Sequence, residues 1–311
     1  MRRERQTTRT DDVAVARRAL ERTHSVVSLD VDAAGRPFLF EETIVSSRLL
    51  SLESTKSSGT VSGTARTGDQ IVVMWLKSGR GSIGRRRAPI GRPILFREGD
   101  EPFRWSSFQQ DALRIDRDVV QRIAAERGGW TPQPLEFKPH HVPEGATLAA
   151  WWLMVRQVAT EIFDSPAEVS TQRDLELTCI AAAGLLTAIP HWPAGARGSA
   201  PARTRLARAE AFLLEHVAED LLVTDIATAA EMSVRGLQAA FQRAHGTSPL
   251  SYLRRIRLQM AHDLLSTAAV TSVAEAARSV GISHLGRFAS NYQAEFDELP
   301  RHTLRAAVEG A

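Results

Sequence analysis

The sequence predicts an α+β chain of two domains, with a β-rich N-terminal half flanked by helices and an all-α C-terminal third. Three observations carry this reading. Residues 223–300 contain one pattern twice, residues 25–116 fall into short β-rich runs separated by glycines, and residues 190–201 (P-H-W-P-A-G-A-R-G-S-A-P) punctuate the chain between them. At 311 residues the chain is long enough for two domains, and 43% hydrophobic content is ordinary for globular cores.

From the N-terminus, residues 1–10 are expected to be a disordered tail. Asp11 and Asp12 precede Val13, Ala16 and Leu20 at helical spacing, which predicts a helix over 11–21. Strands are expected at 26–31, 37–44, 48–52, 70–76, 94–97 and 103–106, with breaks at Gly35, Gly59, Gly63, Gly79 and Gly81, so a sandwich or barrel is predicted. A helix follows at 117–127, then a Pro-rich connection over 131–143. Two longer helices are expected at 147–162 and 170–188, the second with an apolar face formed by Leu175, Leu177, Ile180, Ala181, Leu185 and Leu186. Residues 190–202 read as the interdomain linker.

In the repeat, Ala227 and Ser233 recur fifty positions on as Ala277 and Ser283, while Leu237, Phe241 and Pro249 recur fifty-one positions on as Phe288, Tyr292 and Pro300. A repeat of this length signals two copies of one supersecondary unit. Each copy reads as a short helix, a tight turn and a longer helix, over 225–246 and 272–296. Ser233 is placed to cap the first longer helix and Gly246 to end it. Leu237, Ala240, Phe241 and Ala244 share its inward face; Arg235, Gln238, Ala239, Gln242 and Arg243 look outward. Ser272 and Glu275 form a capping box in the second copy, where Leu285, Phe288, Tyr292 and Phe296 are expected inward and Gly286, Arg287 and Ser290 outward.

At these residues the chain resembles the AraC/XylS family of transcription regulators. G-T-S-P-L-S-Y-L-R-R-I-R-L (246–258), H-L-G-R-F-A (284–289) and T-L-R (303–305) match the family pattern of two helix–turn–helix units joined by a long helix. Departures are Leu222, Ile282 and Asp297, where the family usually has a Ser or Thr cap, Phe and Gly. The resemblance implies a DNA-binding domain over 203–308, a cupin-like (jelly-roll) sensing domain over 11–145 and a helical segment over 146–189. In such regulators that segment often forms a dimer contact; packing against the strand domain is the equal alternative. It further implies double-stranded DNA, RNA polymerase and a small-molecule effector as partners, and activation of transcription.

Arg235 and Gln238 are the expected base readers, since Arg matches guanine and Gln matches adenine in the major groove. Gln242, Arg287 and Ser290 are further candidates for base contact, and Arg243, Arg254 and Arg255 for phosphate contact. From Arg203 to Arg305 there are 12 Arg against 11 Asp plus Glu, so phosphate affinity must come from local clusters and not from net charge. Phe40, Trp75, Phe96 and Trp105 are candidates for an effector pocket, with plain core as the commoner role of strand aromatics. The basic run Arg85-Arg86-Arg87 could meet nucleic acid or an acidic effector, or be a solvated loop.

No histidine occurs between Val26 and Pro139, and His140-His141 sit in a loop, so no metal site or other cofactor is expected. No Ser-His-Asp or Cys-His arrangement is visible, and no enzyme is expected. The single Cys179 fits a reducing cytoplasm; no signal peptide or membrane span is read from the sequence. Two other classes stay open: an effector-independent architectural DNA-binding protein, and an enzyme fused to a DNA-binding domain. The effector, the operator and the sign of regulation are not legible.

Overall fold

The computed structural model describes residues 3–23, 26–33, 35, 37–97, 99–164, 170–196 and 204–309. The chain divides into two compact units. One comprises residues 1–124, 132–143 and 157–197, the other residues 125–131, 144–156 and 198–311.

The first unit is built on an eight-stranded sheet. β1 (Glu4–Thr10), α1 (Val13–Thr23), β2 (Val26–Asp32) and β3 (Phe40–Ser46) lead into three long strands: β4 (Leu50–Arg66), β5 (Gln70–Ile83) and, after β6 (Arg86–Arg87) and β7 (Ile94–Leu95), β8 (Asp100–Asp116). The sheet order is β1-β3-β4-β8-β5-β6, with β2 added to β4 and β7 to β5, and every pairing is antiparallel. β8 lies between β4 and β5 from Phe103 to Ile115. All three bend at register shifts: β4 between Ser57 and Thr60, β5 between Leu76 and Arg80. Of the glycines expected to separate strands, Gly35 lies between β2 and β3, Gly59 and Gly79 are at bulges inside long strands, and Gly63 and Gly81 are paired within them. Gly79 sits at φ +93°, and a Cβ there would lie 2.1 Å from the Ser107 carbonyl oxygen, so the bend requires glycine. The bent strands enclose a core in which Val61, Met74, Leu76, Ile83, Trp105 and Phe108 meet Ala16 and Leu20 of α1.

Two expectations change here. Residues 4–10 are not a disordered tail but β1, paired with β3 from Glu4↔Ser46 to Thr10↔Phe40. The presumed loop and linker contain β9 (Leu135–Phe137) and β10 (His191–Pro193), which pair with each other; residues 197–202 of the expected linker lie outside the described residues. α2 (Arg117–Gly128), α3 (Gly145–Asp164) and α4 (Thr171–Ala188) are the three expected helices. α4 buries Leu177, Thr178, Ala181, Ala182, Leu185 and Leu186 and packs on β4 and β8, the alternative to a dimer contact on that face.

The second unit contains α5 (Arg205–Glu215), α6 (Val223–Ala229), α7 (Val234–His245), α8 (Pro249–Ser266), α9 (Val273–Ser279), α10 (Leu285–Phe296) and α11 (Pro300–Glu309). α6–α7 and α9–α10 are the two helix–turn–helix units, and α8 joins them. Two cores result. Around the first, Leu237 and Phe241 pack with Ile226, Leu213, Leu253 and Ile256, and Ala146, Ala149, Ala150 and Leu153 of α3 complete it. Around the second, Phe288 and Tyr292 pack with Leu258, Ala261, Leu265 and Ala277. The end of α2, expected in the strand domain, and the first part of α3, expected in a separate helical segment, fall in the unit that holds both helix–turn–helix motifs.

Candidate nucleic-acid interface

Local chemistry aims α7. Ser233 caps its start, the hydroxyl accepting from the Gly236 amide at 3.1 Å, and Gly246 ends it at φ 64°. Leu237, Ala240 and Phe241 are buried, so the same helical period forces Arg235, Gln238, Ala239, Gln242 and Arg243 outward, and all five are exposed. This is a polar stripe two turns long with one full positive charge near each end.

α10 presents less. Gly286, Arg287 and Ser290 are exposed, but the Ser290 hydroxyl turns back to the Gly286 carbonyl at 3.3 Å. Leu285, expected inward, is 45% exposed. It is the first residue of the helix and lies a turn short of the core layer that starts at Phe288.

The basic cluster on α8 separates into three roles. Arg254 is exposed. Arg257 donates to the carbonyls of Val217 and Glu219 and so closes the segment that follows α5. Arg255 does not project freely toward a phosphate: its guanidinium lies 3.3 Å from Glu295 Oε1, which also takes Arg156 of α3 at 2.9 Å. Arg156 in addition reaches Gln259 and lies over the Phe296 ring at 4.7 Å. Of the acids at the end of α10, Glu295 is thus paired and Glu298 accepts from the Thr303 hydroxyl at 2.6 Å, leaving Asp297 exposed.

Sequence reasoning missed a buried charged cluster behind α7. Arg127, at the end of α2, pairs with Glu210 of α5, whose other oxygen lies 2.9 Å from His245 Nε2 at the end of α7. Burial alone would raise the Glu210 carboxyl, but the charge of Arg127 and the hydrogen bond with His245 outweigh it and hold the group at about 2. Tyr252 stacks on His245, and burial pushes its phenol well above the usual range. The signal was present only as isolated polar residues on apolar faces.

The aromatic candidates of the strand unit separate as well. Phe40 and Trp75 are buried strand residues and do not line either of two cavities in that unit, of about 300 and 70 Å³. Trp105 lines the smaller cavity, and Phe96 lines both. Among the described residues no group of three or more His, Cys, Asp or Glu side chains is placed to hold a metal, and no helix is long and apolar enough to cross a membrane.

Comparison with known proteins matches residues 226–306 to a family described as a helix-turn-helix domain. The chain is 33% identical over 202 residues to a "Probable thc operon regulatory protein" of Rhodococcus erythropolis, covering 62% of this chain and 60% of the relative. It is 38% identical over 95 residues to "XylDLEGF operon transcriptional activator 2" of Pseudomonas putida, covering 30% of this chain and 60% of that one. The chain therefore spans less than two thirds of either relative. Among solved structures, a probable AraC family transcriptional regulator from Rhodopseudomonas palustris matches at 38% identity, over 33% of this chain and 96% of that one, with a TM-score of 0.32. The helix-turn-helix match thus lies over both units, in a chain similar to proteins named as an operon regulatory protein and an operon transcriptional activator.

Proposed function

We propose that the protein is a sequence-specific DNA-binding transcription regulator, an activator whose strand unit responds to a small molecule. The observation that carries the DNA reading is the exposed stripe Arg235–Gln238–Gln242 on α7, fixed by the buried face behind it. Arg235 donates two hydrogen bonds to a guanine edge, Gln238 pairs with an adenine edge, and Gln242 reaches a base or a phosphate one turn on. Arg243 and Arg254, both exposed, supply phosphate contacts. On α10, Arg287 is the long polar side chain and mainly positions the protein on the backbone.

Activation is carried over from the name of the Pseudomonas putida relative and implies contact with RNA polymerase at the promoter. The test is selection from a randomised duplex pool in the presence of competitor DNA, followed by a promoter-fusion assay on the selected site. A defined motif with raised transcription is expected; binding without sequence preference would leave only an architectural role.

A further inference from the structure

The larger cavity of the strand unit has a chemistry that the DNA-binding reading does not use. It encloses about 300 Å³, enough for a small organic molecule. Five cationic residues line it, Arg86, Arg87, Arg97, Arg117 and Lys138, against two acids, Glu101 and Glu136. Both acids are already engaged. Glu101 accepts from the Arg97 amide at 2.8 Å, and Glu136 accepts from the Trp192 indole at 3.0 Å and the Gly195 amide at 3.4 Å. The side chains of Arg86, Arg87 and Lys138 have no such acidic partner among the described residues. Arg117 is held by the Gly68 carbonyl at 2.8 Å, which fixes one guanidinium at the rim before anything binds. The rest of the wall is mixed: Thr67, Gln70, His140 and His141 line it beside an apolar part in which Ile83 and Ala88 are buried and Ile94, Phe96 and Phe137 are half-buried.

A concave site that combines an apolar part with surplus cationic side chains is complementary to a molecule with an apolar body and one anionic end. Guanidinium matches carboxylate in bidentate geometry, and an apolar wall raises the strength of that pair by excluding water. Nucleic acid does not fit the same description, because a cavity of this size admits neither a duplex nor a run of phosphates. The basic run 85–87 divides on this view. Arg86 and Arg87 line the cavity, while Arg85, also exposed, does not.

We propose that this cavity is the binding site for a small organic carboxylate with an aliphatic or aromatic body, and that such a molecule is the class of effector the protein senses. The second clause rests on the reading of the strand unit as a sensor; the first does not. The experiment is calorimetric titration of the full chain with octanoate and with 2-naphthoate, each beside its uncharged amide. At least one carboxylate should bind in about the micromolar range, with its amide about tenfold weaker or worse. The double substitution Arg86→Gln/Arg87→Gln should cost about tenfold in carboxylate affinity and leave any amide binding unchanged, whereas Arg85→Gln should change neither. These side chains are exposed, so folding is not at risk, and the thermal unfolding of each variant checks this. Equal affinity for acid and amide, equal losses in the Arg85→Gln control, or no binding of either acid up to about 10 mM would overturn the proposal. If a carboxylate binds as expected but promoter occupancy does not change with it, the anion site stands and the effector-controlled reading falls.

Discussion

The first helix–turn–helix unit places glutamate in its turn and glycine where its longer helix ends; the second does the reverse. Glu231 and Gly281 occupy the same left-handed turn position, at φ 52° and 74°, and Gly246 and Asp297 the same left-handed end, at φ 64° and 58°. The N-caps also trade places. α7 has the Ser233 hydroxyl at its start and α10 has His284 with no side-chain bond. Conversely, α6 begins at exposed Leu222, whose amide is taken by Asp225, and α9 begins at Ser272 with a hydrogen bond to the Glu275 amide. Each unit therefore forms the same backbone by a different set of local choices. The better-capped longer helix is the one with the richer outward stripe, which is what a base-reading helix needs if its side chains are to be held in register.

Their interiors differ in the same way. The first unit is backed by charge, Arg127–Glu210–His245. The second is backed by a chain of hydrogen bonds that ends on a carboxylate: His262 Nδ1 lies 2.7 Å from the Tyr292 hydroxyl, that hydroxyl 2.9 Å from Thr303, and Thr303 donates to Glu298 at 2.6 Å. Since Thr303 spends its proton on Glu298, the hydroxyl of Tyr292 donates to Thr303 and accepts from His262.

The largest effects should come from these interiors. Phe241→Ala empties a fully buried site and should destabilise the second compact unit by about 3–5 kcal/mol, lowering DNA binding through unfolding with no change of preferred sequence. Calorimetric unfolding of the full chain reads this, and a folded variant of unchanged stability would refute the placement of α7. Glu210→Gln should cost about 3–5 kcal/mol at neutral pH by leaving Arg127 buried without its partner. Glu210 is depressed in the fold to about 2 from an ordinary 4.5, so its contribution is complete above about pH 4.5 and is lost as pH falls toward 2. The variant should lack that part of the acid-induced loss. An unchanged acid profile between pH 4.5 and 2 would show that the pair does not matter. Tyr292→Phe in the other unit should cost less, about 1–3 kcal/mol, and show no such acid signature.

Much of this was legible because helix–turn–helix chemistry is local. The spacing of Leu237 and Phe241, the Ser233 cap and Gly246 lie within one stretch of fourteen residues, and the repeat checks them a second time. The rest depends on partners far away in sequence. β1, E-R-Q-T-T-R-T, carries no apolar alternation and is ordered by its ladder to β3. Gly59 and Gly79 look like strand breaks in sequence and are bulges, because only the neighbouring strand decides which. The alanines of α3 that enter the first core give a weak periodic signal, and the pairing of Arg255 with Glu295 spans forty residues.

The proposed division of labour on DNA gives effects of the next size. Arg235→Ala should weaken binding by about 1–3 kcal/mol and relax preference at one base position. Arg287→Ala should weaken all sequences alike and lower the salt dependence by roughly one charge. Within the protein Arg255 pairs with Glu295 and Glu298 accepts from Thr303, so Asp297 is the exposed acid left at the end of α10. A base-by-base binding scan with equal or larger penalties under α10 than under α7 would break the asymmetry.

The smallest effect tests the exchange of glycines directly. A non-glycine residue in the left-handed region costs about 1–2 kcal/mol, less for aspartate, and glycine recovers most of it while adding freedom to the unfolded chain. Asp297 is exposed at φ 58°, so Asp297→Gly should stabilise by about 0.5–1 kcal/mol. Glu231 sits in the same backbone state, but its carboxylate pairs with Arg208 at 2.7 Å while 66% exposed. Such a surface pair contributes about 0–1 kcal/mol, so Glu231→Gly gives up what it gains and should come out near zero. Amide hydrogen exchange in α10 and α7 resolves the two sites separately. Slower exchange in α10 for Asp297→Gly with little change in α7 for Glu231→Gly is expected. Equal gains at both would mean that the Arg208 pair adds nothing, and a loss at Asp297→Gly would mean that the aspartate holds the helix end by more than its backbone angle.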